Sequence, residues 1–144
     1  MELTSTWWFW ALLSAVFAAL TAIFAKVGVK EVDSDVATFI RTIVILLTLG
    51  LILVALGKFH SPGDLSSRTW IFLVLSGLAT GASWICYFRA LKLGDASLVA
   101  PVDKLSVVLV AIFGVALLGE SLSGLQWLGV ALVGGGAVLL VISG

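Results

Sequence analysis

Two ionisable residues, Arg41 and Asp103, lie well inside long apolar stretches of this sequence. A charge in an apolar environment costs free energy, so it is retained where it meets a partner or performs a task. The two residues therefore have two interpretations. They form a structural ion pair between two elements, or they bind a substrate or a proton.

Neutral polar residues recur near both charges at helical spacing. Thr38 precedes Arg41 by one turn, and Ser106 follows Asp103 by one turn. Residues three and four apart share one helix face, so these stripes predict a polar cavity with Arg41 and Asp103 on opposite walls. The alternative is that the hydroxyls only hydrogen-bond helices together. We predict that the cavity forms a substrate or proton pathway. Its other predicted members are Ser76, Thr80, Ser83, Trp84 and Tyr87.

Three more charged residues are possible members of the site. Lys26 and Lys104 lie near the ends of apolar stretches, where a long side chain can extend its ammonium group to water. Asp103 and Lys104 are about 100° apart on a helix, which predicts that they point to different places. Glu120 lies in a predicted loop, where a loop or capping role is the alternative.

The sequence contains no catalytic or metal-binding motif. His60 and Cys86 are isolated, and no H-E-x-x-H, nucleophile elbow, P-loop or G-x-G-x-x-G occurs. A single cysteine excludes an internal disulfide and a multi-thiol metal site. We therefore expect neither an enzyme, nor a cofactor, nor a metal.

The composition identifies the elements that must position these residues. Of the 144 residues, 61% are apolar and 11% are charged, with eight basic and eight acidic side chains. The mean hydropathy is +1.23. Too little polar surface exists for a soluble fold, no basic stripe exists for nucleic acid, and the apolar content excludes disorder. The chain is therefore predicted to be an integral membrane protein.

Apolar runs of about 20 residues are long enough to cross a bilayer as helices. The sequence contains five, and the alternation of a β-barrel is absent. The predicted fold is an all-α membrane protein forming a single domain over residues 1–144, with Ser61-Pro62-Gly63-Asp64 as one of the turns. The five predicted spans cover residues 7–27, 36–57, 69–91, 96–119 and 123–142.

Two sequence features predict details of the last two spans. Pro101 removes a backbone donor near the start of the fourth span, which predicts that Asp103 lies in the first turn of the regular helix. Ser123 and Gln126 have the S-x-x-Q spacing of a capping box at the start of the fifth span. Small residues on this span predict a close helix contact between two chains, at Gly129, Gly134, Gly135 and Gly136.

The second half of the sequence carries a recognisable series of segments. They are YFRALKLGDAS at 87–97, APVDKLS at 100–106, LGESLS at 118–123 and QWLG at 126–129, with Lys26 and Arg41 upstream. In order and spacing they resemble the EamA-type domain of the drug/metabolite transporter superfamily. The resemblance covers nearly the whole chain.

This resemblance implies a secondary transporter of small metabolites in the inner membrane of a bacterium or archaeon. Family members usually carry two such five-helix units in inverted orientation, so one unit implies that two chains pair. Basic groups in the spans outnumber Asp103, which slightly favours an anionic or zwitterionic substrate. The alternatives are a flippase for lipid-linked sugars and a non-transporting accessory membrane subunit.

The orientation signal is weak, which bears on how two chains would pair. The loops carry two basic residues on each side, and counting those inside spans changes this to six against two. Balanced loops predict a homodimer in which the copies insert oppositely. A parallel dimer is the alternative.

Overall fold

The computed structural model describes residues 6–58 and 65–143, and every regular element in these ranges is a helix. Five of its apolar segments are long enough to span a membrane, which confirms the all-α prediction. His60 and the 61–64 turn lie outside the described residues. The helices are α1 (Trp7–Gly28), α2 (Ser34–Ala55), α3 (Ser67–Leu93), α4 (Ala96–Asp103), α5 (Ser106–Leu118) and α6 (Gly124–Ile142).

The fourth span is two helices rather than the one helix predicted over residues 96–119. Pro101 lies inside α4, where it provides no amide hydrogen for the helix ladder. Over the next turn the bonds tighten: the Leu105 amide donates to the Val102 carbonyl at 3.0 Å, and the Val107 amide donates to the Lys104 carbonyl at 2.9 Å. These are i→i−3 bonds of the 3₁₀ type. The span therefore changes its winding beside Asp103.

Capping side chains determine where two of the helices begin, and these starts differ from those predicted from the apolar runs. The Asp33 carboxylate accepts hydrogen bonds from the Asp35 and Val36 amides, so α2 begins two residues before the predicted start. At α6, the Ser123 hydroxyl accepts from the Gln126 amide, and the Gln126 side chain accepts from the Ser123 amide. The predicted capping box is confirmed.

The chain divides into two compact units. The α2–α3 unit comprises residues 24–93 and therefore includes the last turn of α1. Its buried residues lie where the end of α1, the start of α2 and the end of α3 meet. They are Ala25, Val29, Ser34, Thr38, Phe88 and Leu91. The other halves of α2 and α3 are exposed almost throughout, as expected of helices that face lipid or another chain.

The terminal unit comprises residues 1–23 and 94–144, and within it α6 packs against both α4 and α5. A Cβ atom on Gly134 would lie 2.9 Å from Val108 Cγ2 of α5. Gly134 therefore makes a close contact within the chain, which corrects its prediction as a contact between chains. Gly129, Gly135 and Gly136 have no atom within 4 Å of an added Cβ, so their role between chains stays a prediction.

Candidate functional site

Arg41 of α2 is stacked against aromatic side chains of α3. Its guanidinium carbon lies 3.9 Å from the centroid of the Trp84 ring and 5.4 Å from that of Phe88. Both distances fall within the range of cation–π attraction. The side chain of Arg41 forms no hydrogen bond and no ion pair with any described residue. A half-buried cation without a counter-ion is an unusual feature in a membrane span.

The stack follows from helix periodicity on α3. Trp84, Tyr87 and Phe88 are three and four residues apart, so they form one face that meets α2. Phe88 is buried, while Trp84 and Tyr87 are half-buried. Two aromatic rings of α3 thus lie beside the guanidinium of Arg41.

The hydroxyls near Arg41 already donate to their own helix. Thr38 Oγ1 donates to the Ser34 carbonyl at 2.8 Å, and Thr42 Oγ1 donates to the Thr38 carbonyl at 2.8 Å. Such back-bonding satisfies the hydroxyl hydrogen without reaching another helix. Thr38 is buried and Thr42 exposed. On this face of α2, the guanidinium is therefore the main hydrogen-bond donor open to a ligand.

The remaining polar residues of the predicted pathway occupy exposed positions. Thr80 Oγ1 donates to the Ser76 carbonyl at 2.8 Å, again within its own helix. Ser83 lies next to Trp84 on α3, and Ser106 is the first residue of α5. All four side chains are exposed in the single chain. Their predicted place around a cavity stays a prediction.

Three other basic residues of the α2–α3 unit hold its helix ends together; we call Lys26, Arg89 and Lys92 the basic clamp. Arg89 Nε and Nη2 bind Asp35 Oδ1 and Oδ2 at 3.0 and 2.6 Å. Lys26 Nζ donates to the Leu91 carbonyl at 2.8 Å, and Lys92 Nζ donates to the Val32 carbonyl at 2.9 Å. The clamp thus joins the end of α3 to the end of α1, to the loop before α2 and to the first turn of α2.

This clamp changes the interpretation of the basic residues. Lys26 was predicted to extend towards water or to belong to the site, yet its ammonium group binds a carbonyl in the last turn of α3. Cations near a helix C-terminus are favoured by its exposed carbonyls and dipole. The excess of basic residues in the spans is therefore largely structural. Arg41 does not belong to the clamp, and Lys104 of the terminal unit pairs with Asp103 instead.

Asp103 lies at the break in the fourth span and pairs with its neighbour. Lys104 Nζ is 3.3 Å from Asp103 Oδ2, so the prediction that these side chains point to different places is wrong. Asp103 is the last residue of α4, not part of the first turn of a regular helix as predicted. A helix C-terminus disfavours a carboxylate, and the adjacent ammonium offsets that cost. Asp103 belongs to the terminal unit and Arg41 to the α2–α3 unit.

Glu120 lies just after α5, as predicted from the loop position. Gly119 ends this helix in the left-handed conformation with φ 71°, which glycine adopts without strain. The Glu120 amide then donates to the Gly114 carbonyl at 3.1 Å. Its carboxylate lies over Gly114, where an added Cβ would be 2.5 Å from Oε2. Glu120 therefore takes part in ending α5.

Sequence inspection missed Phe88 and the partner of Arg89. Phe88 has a usable signal, because it follows Trp84 by four residues and shares its face. The pairing of Arg89 with Asp35 has no local signal, since the two residues are 54 positions apart. Only the meeting of the two helix ends brings them together.

The chain is similar to known proteins over nearly its whole length. Residues 5–142 match the EamA-like transporter family. A protein of Sinorhizobium sp., named an uncharacterized transporter in the cobO 3′ region, is 61% identical over 140 residues, which are 97% of this chain and 99% of that protein. The uncharacterized transporter YxxF of Bacillus subtilis (strain 168) is 26% identical over 135 residues, 92% of this chain and 42% of that protein. No solved structure matches the chain with significance.

Proposed function

Because this chain belongs to the EamA-like transporter family, we propose that it is a secondary transporter for a small anionic or zwitterionic metabolite. In this proposal the transporter lies in the inner membrane of a bacterium or archaeon. The observation that carries the choice of substrate is Arg41, a cation with aromatic neighbours and no counter-ion among the described residues. An anionic group of the substrate supplies that counter-ion. We also propose Asp103, beside the break in the fourth span, as a substrate or proton group.

The transporting form in this proposal is a homodimer, with its two copies inserted oppositely. The described residues of one chain supply five spans. The matched segment covers 42% of the Bacillus relative, which leaves room there for a second unit of this size. Two opposite copies would provide the inverted symmetry on which alternating access commonly depends. Gly135 and Gly136 on α6 are open in the single chain and available for the contact between copies.

Transport itself is tested with purified protein in liposomes. The vesicles are incubated with a pool of isotope-labelled metabolites, and the compounds retained inside are identified by mass spectrometry. We expect Arg41-dependent accumulation of one or a few anionic or zwitterionic compounds, and none in Arg41→Gln vesicles. Accumulation of cations alone would contradict the proposed substrate class. Lipid scrambling without metabolite uptake would favour the flippase, and activity that needs a second, different chain would favour an accessory subunit.

The arrangement of the copies is tested separately. In a Cys86→Ser background, a reporter cysteine replaces Leu65, which is exposed beside the loop between α2 and α3. An oppositely inserted pair is labelled by impermeant reagent from both faces of the membrane, whereas labelling from one face rules it out.

Gly135→Leu is expected to lower the dimer fraction in detergent, because a bulky side chain would enter the proposed contact. An unchanged dimer fraction would remove α6 from the interface.

A further inference from the structure

We infer that the ion pair between Arg89 and Asp35 is the latch of a gate between α2 and α3, and that this gate is closed in the present structure. The inference rests on the proposed function, because a transporter must open its site to each side of the membrane in turn. Three observations within the α2–α3 unit carry it: the place of the ion pair, its exposure and the separate attachment of α1 to α3.

The ion pair lies at the end of the helix pair that is nearer to Arg41. Asp35, Thr38 and Arg41 are three residues apart on α2, so they follow one another along one face. Arg41 is six positions after Asp35, which is roughly 9 Å along the helix axis, and fourteen positions before the other end of α2. On α3, Arg89 is next to Phe88, whose ring centroid lies 5.4 Å from the Arg41 guanidinium carbon.

The latch can open at low cost. The side chains of Arg89 and Asp35 are 59% and 48% exposed, and ion pairs between exposed side chains add little to stability. Their bidentate geometry nevertheless gives the closed form a defined orientation. Thr38 is buried, yet its hydroxyl donates to the Ser34 carbonyl of its own helix. A shift of α2 away from α3 would therefore expose Thr38 without breaking that bond.

The end of α1 is attached to α3 independently of the latch. Lys26 Nζ donates to the Leu91 carbonyl at 2.8 Å, and Val29 and Leu91 are almost fully buried. Lys92 binds the loop before α2, so Arg89 is the clamp residue that binds α2 itself. The expected movement is a shift of the first turns of α2 away from the joined ends of α1 and α3.

Opening is measured without a substrate, by the rate at which an added cysteine reacts with a small charged thiosulfonate reagent present on both sides of a liposome membrane. The reporter is Thr38→Cys in the Cys86→Ser background. Two matched reporters are Val29→Cys, at the joined ends of α1 and α3, and Leu65→Cys, which is exposed. Each reporter is examined with and without substitutions of the latch.

The Thr38→Cys reporter is expected to react about fivefold faster in Arg89→Gln, as the loss of an exposed ion pair allows. Arg89→Lys, which keeps the charge, should give a smaller increase. Arg68→Gln, which removes an exposed arginine at the other end of α3, should give none. An unchanged Thr38→Cys rate in Arg89→Gln would overturn the inference. Equal acceleration of Val29→Cys would also overturn it, because the whole clamp would then have loosened.

A reversible lock tests whether this opening serves transport. Asp35→Cys and Arg89→Cys are combined in the Cys86→Ser background and bridged with a short bifunctional thiosulfonate reagent. The vesicles are then incubated with the isotope-labelled metabolite pool. Uptake should stop in the bridged double variant and return after reduction, whereas each single variant treated in the same way should keep its uptake.

These outcomes are separate from failure of the proposed function. Absence of uptake in every protein, together with faster reaction of Thr38→Cys in Arg89→Gln, would refute transport by this chain and leave the latch standing. Normal uptake by the bridged double variant would refute the gate and leave transport standing.

Discussion

Two arginines of the same helix pair occupy opposite chemical situations. Arg89 forms a bidentate ion pair with Asp35 at the end of α3, and it belongs to a clamp of basic residues that join helix ends. Arg41, on α2, lies against the aromatic rings of Trp84 and Phe88 instead of a carboxylate. The comparison teaches that a basic residue in or near a span indicates a ligand only when the protein itself supplies neither an anion nor a carbonyl acceptor.

The difference also limits what a count of charges can indicate. The sequence shows more basic than acidic groups in its spans, which favours an anionic substrate when every cation is counted equally. In the structure, Lys26, Arg89, Lys92 and Lys104 all have protein partners. The preference for an anion thus depends on Arg41, a single residue, and substitutions can test it directly.

Exchange of the two arginines for glutamine should produce the largest and most clearly separated effects. Arg41→Gln is expected to abolish transport with little change in melting temperature, because loss of the cation–π contact is offset by removal of a half-buried charge. Arg89→Gln should lower the melting temperature by a few degrees and keep the substrate range, because it opens the clamp. Flux assays and thermal unfolding are measured on both variants. Equal loss of transport in both would erase the distinction between the two regions.

Asp103 tests whether the ion pair at the break of the fourth span is also only structural. Asp103→Asn is expected to abolish transport, because it removes the carboxylate from the proposed pathway and leaves Lys104 without its partner. The double variant Asp103→Asn with Lys104→Gln restores charge balance. If the double variant transports normally, the carboxylate served only to neutralise Lys104. Continued inactivity assigns Asp103 to the pathway itself.

Packing inside the terminal unit is tested on two glycines of α6 that differ in their surroundings. Gly134→Ala places a Cβ within 2.9 Å of Val108 Cγ2, whereas Gly136→Ala meets no atom within 4 Å. Both changes gain helix propensity, so their difference measures the contact. We expect Gly134→Ala to be less stable than Gly136→Ala by about 1–2 kcal/mol. Equal stabilities, measured by unfolding in mixed micelles, would show that Val108 or its helix shifts to accommodate the added methyl group.

The smallest expected effect concerns the cap beside the clamp. Asp33→Ala removes the side chain that accepts the Asp35 and Val36 amides, at a cost of about 1 kcal/mol. Asp95 is the matched control, since it precedes α4 without a side-chain cap bond. Asp95→Ala should change stability by less than about 0.5 kcal/mol. A reversed order of the two variants would show that Asp33 acts through something other than capping.

Much of the fold could be predicted because its signals are local. Apolar runs fixed the five spans, since each needs only its own length to cross a bilayer. The Ser123–Gln126 capping box was visible because both bonds join residues three apart. Pro101 indicated a disturbed helix, although it left the position of the break open. Asp103 was consequently placed at the start of a helix, when it is the last residue of α4.

The candidate site was predictable only in part. Arg41, Trp84 and Tyr87 were predicted from the cost of a charge in a span and from helical spacing. The partners that distinguish a binding cation from a structural one were not, because Arg89 and Asp35 are 54 residues apart and Lys26 and Leu91 are 65 apart. Gly134 likewise carried the same sequence signal as Gly135, and only its neighbour Val108 separates the two.

The sequence by itself determined that this chain is a helical membrane protein with five spans, with a proline in its fourth span and one arginine deep in its second. Hydropathy, capping and periodicity depend on residues that are close together in the chain, so they can be recognised from the sequence alone. The tertiary structure decided which cations are satisfied and which glycine packs within the chain. Those outcomes depend on which helix ends and faces meet, and that is set by packing between residues far apart in sequence.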